Sequence, residues 1–450
     1  MDAMMRRATV PQRVMPAAWP LIAGGGIATG LVAWWWWTTT DTLMSLSGVV
    51  LEAGRLTGIG AGLAVIALVT LAARIGPLDR ALGSERLYLW HGRLGRYAIS
   101  MIIAHAILIT AGYALIAGDT IGAVISSYLA DDNLQLAIAG AGLFLAVGVA
   151  SMAAVRRAAR YEVWHAIHLA TYAAILFGLV HQVTNGAQFA DQPVASVLWV
   201  GACVVPVTVL LVNRLVRPLV SNLRHRFTLV EVVPEASGVY SLVIGGRDLQ
   251  QAPGLAGQYV RVHAQARGLR FASNPYSLSV APGGAHWRIT VGAVGEHSRR
   301  LVGLRPGTRL WLEGPLGGLV LGPRSAAPVV LIAGGTGVAP IRALAEAALR
   351  ERPWSPVVVW YRVHDPAQAL FGAEWERLTA WAGGRLAVHL RTGARTAHRN
   401  RLDAAALTAI APWIDQAEVL VCGGRALVES ARQAARDAGA SNVRVESFGW

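Results

Sequence analysis

The chain has 450 residues, 54% of them hydrophobic, with a mean hydropathy of +0.44, which is too apolar for a wholly soluble or a disordered protein. Its formal charge of +14 rests on 40 basic residues, all arginine, with no lysine. These arginines gather beside apolar segments and read as membrane topology rather than a nucleic-acid footprint, and two distant cysteines, Cys203 and Cys422, exclude a disulfide framework.

Six apolar segments of spanning length fill the first half, near 15–37, 54–76, 89–117, 134–155, 163–185 and 195–216. The basic start MDAMMRRATVPQRV leads into the first of these. No small-residue cleavage site precedes Trp34 to Trp37, so an uncleaved span is expected. Charge alternates between the loops. Arg6, Arg7 and Arg13 lie before the first segment, Asp41 and Glu52 around the next loop, and Arg74, Arg80 and Arg86 after the second segment. Asp119, Asp131 and Asp132 follow the third, Arg156, Arg157 and Arg160 the fourth, Asp191 the fifth, and Arg214, Arg217, Arg224 and Arg226 the sixth. The positive-inside rule then puts both termini in the cytoplasm of a bacterial-type inner or plasma membrane.

Two of the segments carry repeated histidines. LWHGRLGRYAISMIIAHAIL holds His91 and His105, which are 14 residues apart; YEVWHAIHLATYAAILFGLVHQ holds His165, His168 and His181. His168 to His181 is 13 residues, so each pair spreads over roughly 20 Å of helix. A lone membrane histidine is ordinarily hydrogen-bonded across helices. Two pairs of nearly matching spacing on facing helices suit two stacked haems instead, each held by one histidine from each helix. The expected metal ligands are His91 with His168 toward the cytoplasm, and His105 with His181 deeper toward the exterior. His165 is the spare, because its 16-residue gap to His181 matches the partner helix less well. A 13-residue step does not return to the same helix face, so that segment needs a bulge, a bend or a supercoil. CxxCH is absent, which makes both haems non-covalent and b-type.

From about residue 222 the composition turns soluble. RFTLVEVVPEASGVYSLVIGG, GQYVRVHAQARGLRFASNPYSLSV, HWRITVGAV and TRLWLEG alternate like antiparallel strands and predict a β-barrel over 222–324. After Pro328, PVVLIAGG, SPVVVWYRV, RLAVHLRT and AEVLVCGG alternate with helical stretches and predict a parallel α/β domain over 325–450. The fold expectation is therefore multidomain: a six-helix transmembrane bundle over 1–221, the barrel, and the parallel-sheet domain. Gly334, Gly335, Thr336 and Gly337 sit between a strand and a helix, where backbone N–H groups can meet a pyrophosphate, although such a turn is often only a turn. Cys422-Gly423-Gly424 is a second turn of this kind at a strand's C-terminal end.

The succession NPYSLS, VGAVGEHSRRL, EGPLGG, AGGTGVAP, VCGG and terminal ESFGW resembles the ferredoxin–NADP reductase superfamily in its usual order. Behind six spans with paired histidines, it resembles the NADPH oxidase/ferric reductase family of transmembrane flavocytochromes. The resemblance implies FAD, two haems b and NADPH or NADH as cofactors. Pro275, Tyr276 and Ser277 match the flavin motif, and Gly295 to Ser298, with His297, match the segment receiving FAD phosphates. Gly334 to Gly337 match the nucleotide pyrophosphate loop, Cys422 and Gly423 the turn near the nicotinamide, and Phe448 the aromatic covering the flavin. Ser277, Cys422 and Phe448 are thereby the implied catalytic positions. Asn274 stands where the superfamily carries Arg or His, so one FAD phosphate contact is either missing or supplied by Arg270 or Arg299. His364 stands where an arginine often follows the second strand of the nucleotide domain, with Arg362 nearby. Arg391 and Arg395 lean the reading to NADPH, with a solvated face as the plain alternative.

The resemblance implies an oxidoreductase that passes electrons from cytoplasmic NAD(P)H through FAD and the haems to a small external acceptor, dioxygen or a ferric chelate. Two other classes stay open: a cytochrome b donor to a periplasmic protein, and a non-catalytic haem or nucleotide sensor. The lipid bilayer is the expected environment, with no nucleic acid and no obligatory regulatory subunit. No EF-hand loop is present, so activity without calcium is expected.

Overall fold

The computed structural model describes residues 26, 30, 36 and 45–450, apart from 153–154, 156–160, 191, 267, 271–272, 324–325, 394–401 and 449–450. The first predicted span, the arginines before it, Arg156, Arg157, Arg160, Asp191 and Arg395 thus lie outside the described residues, Trp36 excepted. The chain divides into two compact units, 1–82 with 86–213, and 83–85 with 214–450.

Among the described residues, five helices are long and apolar enough to cross a membrane: Leu46–Ala72, Arg86–Ala117, Asp132–Ala150, Val163–Asn185 and Pro193–His225. The protein is an integral membrane protein. Helix α1 (Leu46–Ala72) starts at Ser45, whose hydroxyl accepts from the Gly48 amide. A short helix α2 (Gly76–Leu82) leads to α3 (Ser84–Ala117). Glycines let α1 and α3 approach closely. A Cβ on Gly54 would lie 2.9 Å from the Ile109 amide nitrogen, and one on Gly112 would lie 2.8 Å from the Leu51 Cα. Gly54, Gly58 and Gly62 repeat every fourth residue, the small-residue stripe that packs membrane helices. Helix α4 (Ile121–Leu129) is capped by Thr120, and α5 (Asp132–Ala150) by Asp131.

The segment with three histidines is not one continuous helix. Helix α6 (Tyr161–Leu169) ends at Ala170 and α7 (Thr171–Asn185) begins after it, while the Thr171 hydroxyl donates to the His168 carbonyl. Ala170 keeps helical dihedrals, φ −61° and ψ −15°, and its N–H donates to the Ile167 carbonyl at 3.0 Å, so the interruption is a local tightening of the helix. Helix α8 (Pro193–Leu211) runs through a π-turn (Val212–Val216) into α9 (Arg217–His225). That last helix belongs to the second unit. Asn222 Nδ2 donates to the Leu312 carbonyl at 2.7 Å, and Leu312 N–H donates back to Asn222 Oδ1 at 2.9 Å.

In the second unit, six strands form β1 (Thr228–Ala236), β2 (Val239–Gly245), β3 (Tyr259–Ala264), β4 (Asn274–Ser277), β5 (Trp287–Gly292) and β6 (Leu310–Leu316). They make two three-stranded antiparallel sheets, β1-β2-β5 and β4-β3-β6, rather than one continuous ladder. The isolated bridges Thr228–Arg309 and Leu278–Ile289 join both pairs of sheet edges, so the barrel the alternation predicts is drawn together only at single bridges. Phe227, Leu242, Val260, Leu278, Trp287 and Leu312 fill the space between the sheets. Helix α10 (Glu296–Val302) follows β5.

The remainder is a parallel sheet of order β11-β10-β7-β8-β9. Its strands are β7 (Val329–Gly334), β8 (Val357–Val363), β9 (Leu386–Thr392), β10 (Glu418–Gly424) and β11 (Asn442–Phe448). Helices α11 (Val338–Glu351), α12 (Gly372–Ala382), α13 (Ala404–Ile410) and α14 (Arg425–Asp437) connect them. The central strands are buried on both faces, which is why VVLIAG and VVVWYRV read as unbroken apolar runs. Polar ties join the FAD-type sheets to this layer. Arg288 of β5 donates to both Glu374 oxygens, at 2.5 and 3.0 Å, and Arg342 Nε lies 2.8 Å from the same carboxylate. Burial alone would raise Glu374, yet the Arg288 hydrogen bonds, with Arg342 and Arg377, hold it below its ordinary value.

Candidate redox sites

In the membrane unit the histidines meet in two pairs. The His91 and His168 rings lie 6.2 Å apart at 59°, and the His105 and His181 rings 6.3 Å apart at 60°. A metal held between two imidazoles at about 2 Å per bond separates the ring centres by about 6 Å. Side-chain anchors orient one ring of each pair. His91 Nδ1 is 3.3 Å from the Leu68 carbonyl, and His105 Nδ1 is 2.8 Å from the Gly54 carbonyl. Such a backbone bond fixes the tautomer and leaves Nε2 available to a metal. Gly54 and Leu68 are 14 residues apart, as are His91 and His105, so one helix sets both histidines in register. His105 rests on Gly58, where a Cβ would fall 2.6 Å from its Nδ1. His181 Nδ1 is buried with no hydrogen-bond partner, as befits a ring kept for a ligand rather than for packing. His165 is exposed on the bundle surface, whereas His168 stacks on Trp164 at 5.2 Å. No group of three or more His, Cys, Asp or Glu side chains forms a metal-binding cluster among the described residues. Haem iron needs only two axial imidazoles, so the donor set fits haem better than a free ion.

In the second unit, β4 carries the NPYS segment where the flavin motif is expected. Asn274 and Pro275 are exposed, Tyr276 is half-buried and Ser277 is buried, its Oγ without a hydrogen-bond partner. The Tyr276 ring stacks on His297 at 6.3 Å and 19°, with its hydroxyl 3.2 Å from His297 Nδ1. Burial pushes the Tyr276 phenol up to about 12, so it acts as a neutral hydrogen-bonding group. Gly295 caps α10, and the Ser298 hydroxyl is 3.0 Å from both Gly295 N and O. Arg299 donates to the Val294 carbonyl and so borders this loop, whereas Arg270 is exposed. Arg261 emerges as a cation that sequence reading missed. It pairs in register with Pro275 and donates to Ser273 Oγ and O at 3.1 and 3.2 Å.

A cavity of about 420 Å³ opens at the C-terminal ends of the parallel strands. Gly334, Gly335 and Thr336 line one wall, Ser237 and Val239 another, and Arg362, His364 and Gln368 a third. Glycine is required at three points of the turn. A Cβ on Gly334 would strike Leu427 at 2.3 Å, Gly335 has φ +55°, and a Cβ on Gly337 would lie 2.4 Å from the Cys422 carbonyl oxygen. Arg391 is one strand further out, opposite Arg362 in register, and does not line the cavity. Gly424, rather than Cys422 or Gly423, lines it from β10.

Cys422 is fully buried; burial, with the Glu446 charge beside it, pushes its thiol well above the ordinary value. Glu446 was not anticipated. It pairs with Cys422 in the parallel register, and its enclosed Oε2 has no hydrogen-bond partner. Burial pushes its carboxyl up to about 7. The signal was present in the charged residue two before Phe448, on a strand that otherwise reads as an edge. Phe448 itself ends β11 beside Gly424, partly exposed.

Comparison with known proteins agrees with this division. Residues 57–179 match the model of the ferric reductase like transmembrane component, and residues 331–433 that of the oxidoreductase NAD-binding domain. The chain thus carries a ferric-reductase-like transmembrane component followed by an oxidoreductase NAD-binding domain. It is an oxidoreductase. The chain is 28% identical over 193 residues to reductase component 2 of terephthalate 1,2-dioxygenase from Comamonas sp, covering 41% of this chain and 55% of that protein. It is 29% identical over 202 residues to an NADPH oxidoreductase of Mycobacterium tuberculosis, covering 43% and 51%. It is 33% identical over 132 residues to a flavohemoprotein of Bacillus anthracis, covering 27% and 32%. The chain thus spans about half the length, or less, of these relatives. Among solved structures, the Amycolatopsis cytochrome P450 reductase GcoB is 24% identical, with 50% of this chain and 69% of that one covered and a TM-score of 0.43.

Proposed function

We propose that the protein moves electrons from NAD(P)H through FAD and two b-type haems to an acceptor on the far side of the membrane, dioxygen or a ferric chelate. The observation that carries the proposal is the pair of facing imidazoles at 6.2 and 6.3 Å, each with one ring anchored to a carbonyl of the same helix. Bound FAD would supply the conversion of a two-electron hydride into single electrons, and bound haem a one-electron relay. His91 and His168 hold one haem, and His105 and His181 the other. With a histidine from each helix these two pairs would hold haem, which when bound would supply one-electron transfer to the acceptor.

The alternation of arginine-rich and acidic loops supports an orientation with the dehydrogenase in the cytoplasm and the His105–His181 pair toward the exterior. The Gly334–Gly337 turn receives the nucleotide pyrophosphate at the start of α11. Arg362 and His364 on the cavity wall favour the 2′-phosphate of NADPH over NADH. Tyr276 packs on the flavin, Ser277 Oγ faces its reacting edge, and Glu446 holds a proton beside Cys422 near the nicotinamide.

The test is an anaerobic absorbance spectrum of purified full-length protein supplied with FAD, before and after NADPH. Reduced b-type bands at two haems per chain are expected. Haem that dithionite reduces but neither NADPH nor NADH reduces would break the link between dehydrogenase and membrane domain. Absence of haem in a haem-replete preparation would refute the proposal.

A further inference from the structure

Charged side chains between packed layers are costly unless paired, and one carboxylate bridges the FAD-type sheets and the parallel-sheet layer. Glu374, in the first turn of α12, accepts from Arg288 Nη1 at 2.5 Å and Nη2 at 3.0 Å, and Arg342 Nε of α11 lies 2.8 Å from its Oε2. The three side chains are only 10 to 16% exposed. Both arginines also grip the chain that follows Ser277. The Ser279 carbonyl accepts from Arg288 Nη2 at 3.1 Å and from Arg342 Nη1 at 3.3 Å. Ala281 N–H donates to Glu346 of α11 at 3.2 Å, and Glu346 pairs in turn with Arg342 and with the half-exposed Arg350. Phe371, just before α12, lies 4.8 Å under the Arg288 guanidinium. Its φ of +65° is a left-handed conformation that a phenylalanine keeps only where its surroundings over-determine it.

We infer that Glu374 is a positioning residue for hydride transfer: one carboxylate holds an arginine from each layer and so sets how closely the nicotinamide approaches the flavin. The inference rests on the reading of this unit as an NAD(P)H-to-FAD dehydrogenase, and it adds a residue outside the nucleotide cavity. The cluster ties the two halves of that site together. On the flavin side, Ser279 is two residues beyond Ser277. On the nucleotide side, α11 follows the Gly334–Gly337 turn. Strand β5, which carries Arg288, ends at Gly292, where a Cβ would lie 3.8 Å from Thr336 Cγ2 of that turn. The spacing of the layers therefore reaches both seats through backbone that the two arginines hold. Within the boundary, Arg288 and Arg342 are balanced by Glu374 and Glu346. Neutralising Glu374 leaves two guanidinium groups facing one another with one counter-charge fewer, which pushes the layers apart. Hydride transfer oxidises NADPH to NADP+ and reduces FAD by two electrons, with no proton drawn from Glu374, whose part is distance alone. A displacement of about 1 Å is enough to slow such a step on the order of 100-fold.

The test is stopped-flow flavin reduction in full-length, FAD-loaded protein, with NADPH varied to saturation so that the limiting rate and the apparent Kd are read separately. Glu374→Gln is expected to lower the limiting rate about 10- to 100-fold and to leave the Kd within about twofold, because the nucleotide cavity is untouched. Glu374→Asp keeps the charge and is expected to recover most of the rate, whereas a role in packing alone would make the shorter side chain the worse of the two. Hydrogen exchange of the loaded protein without nucleotide gives a readout apart from turnover: the amides of 279–281 should exchange faster in Glu374→Gln than in the wild type or Glu374→Asp. Should Glu374→Gln not retain FAD, Arg288→Lys takes its place. Lysine keeps the charge but cannot bridge both Glu374 oxygens, and the limiting rate should fall about threefold or more. A wild-type limiting rate in Glu374→Gln, or a loss that Glu374→Asp shares in full, would overturn the inference. So would a raised Kd at an unchanged limiting rate. Wild-type protein whose bound FAD is not reduced by NADPH refutes the parent reading, and is recognised before any variant is compared.

Discussion

Replacing Glu446 by glutamine tests the nicotinamide end of the dehydrogenase. The carboxyl sits opposite Cys422 with Oε2 enclosed and unpaired, and burial moves it from an ordinary 4.5 to about 7. Well above pH 7 that difference corresponds to about 3 kcal/mol of penalty for ionising in place. The sign follows from proton affinity. The folded chain binds this proton more tightly than the unfolded chain, so its contribution is full below 4.5 and is lost as pH rises through about 7. Wild-type stability should therefore fall mainly between about pH 4.5 and 7, by up to about 3 kcal/mol from this group, and level off above that. Glu446→Gln, neutral throughout, should show a flatter profile and exceed the wild type at the alkaline end. Thermal unfolding followed by tryptophan fluorescence across that range provides the measurement. Stopped-flow flavin reduction by NADPH supplies the functional counterpart, with an inflection near 7 in the wild type that the variant lacks. An inflection that survives in Glu446→Gln would assign the titration to another group and refute the reasoning.

Four further variants probe the sites separately. His168→Leu should lose one of two haems by pyridine haemochrome assay, whereas His165→Leu, whose ring faces outward, should retain both; equal loss in the two would undo the pairing. Gly58→Ala places a Cβ 2.6 Å from His105 Nδ1, so the ring must shift off the Gly54 carbonyl. The spectrum should lose or broaden one haem component, and an unaltered spectrum at full haem content would count against the seat. Gly337→Ala drives a Cβ to 2.4 Å from the Cys422 carbonyl oxygen, which can move only by displacing β10. Reduction by NADPH should fall at least tenfold, equivalent to about 1.4 kcal/mol, while dithionite still reduces both haems.

The fold was legible wherever a period or an apolar run decides it. Segments such as 163–185 announced spans by length, and VVLIAG and VVVWYRV announced buried parallel strands by their unbroken β-branched runs. The need for an irregularity was foreseeable, because 13 residues do not close on one face, but the local tightening at Ala170 was not. The division of β1 to β6 into two sheets joined by single bridges was not legible, since alternation sets a strand's faces and says nothing about which strands pair along their length. Sites divided in the same way. Histidine spacing pointed to facing pairs and glycine clusters to the nucleotide turn. Arg261, Glu446 and the Gly54–Gly58–Gly62 stripe depend on cross-strand or cross-helix neighbours, which a single sequence does not supply. Arg391 looked like a phosphate ligand because it follows a strand; the register puts it one strand beyond the cavity wall that Arg362 occupies.

The paired anchors have a consequence for the membrane domain as a whole. His91 and His105 each lean on a carbonyl of α1, at Leu68 and Gly54, and the two spacings are equal. The antiparallel contact of α1 and α3 is fixed by glycines whose Cβ positions are already occupied by the other helix. A slide of one helix by a single residue, about 1.5 Å, would therefore break both anchors together rather than one. Facing them, His168 and His181 sit on either side of Ala170, where the helix tightens by one residue. The contact with α1 thus holds the distance between the two imidazole pairs. On the proposed path of single-electron steps, that fixed spacing is the property that matters. Substitutions at the α1–α3 glycines should accordingly damage both proposed haem sites together.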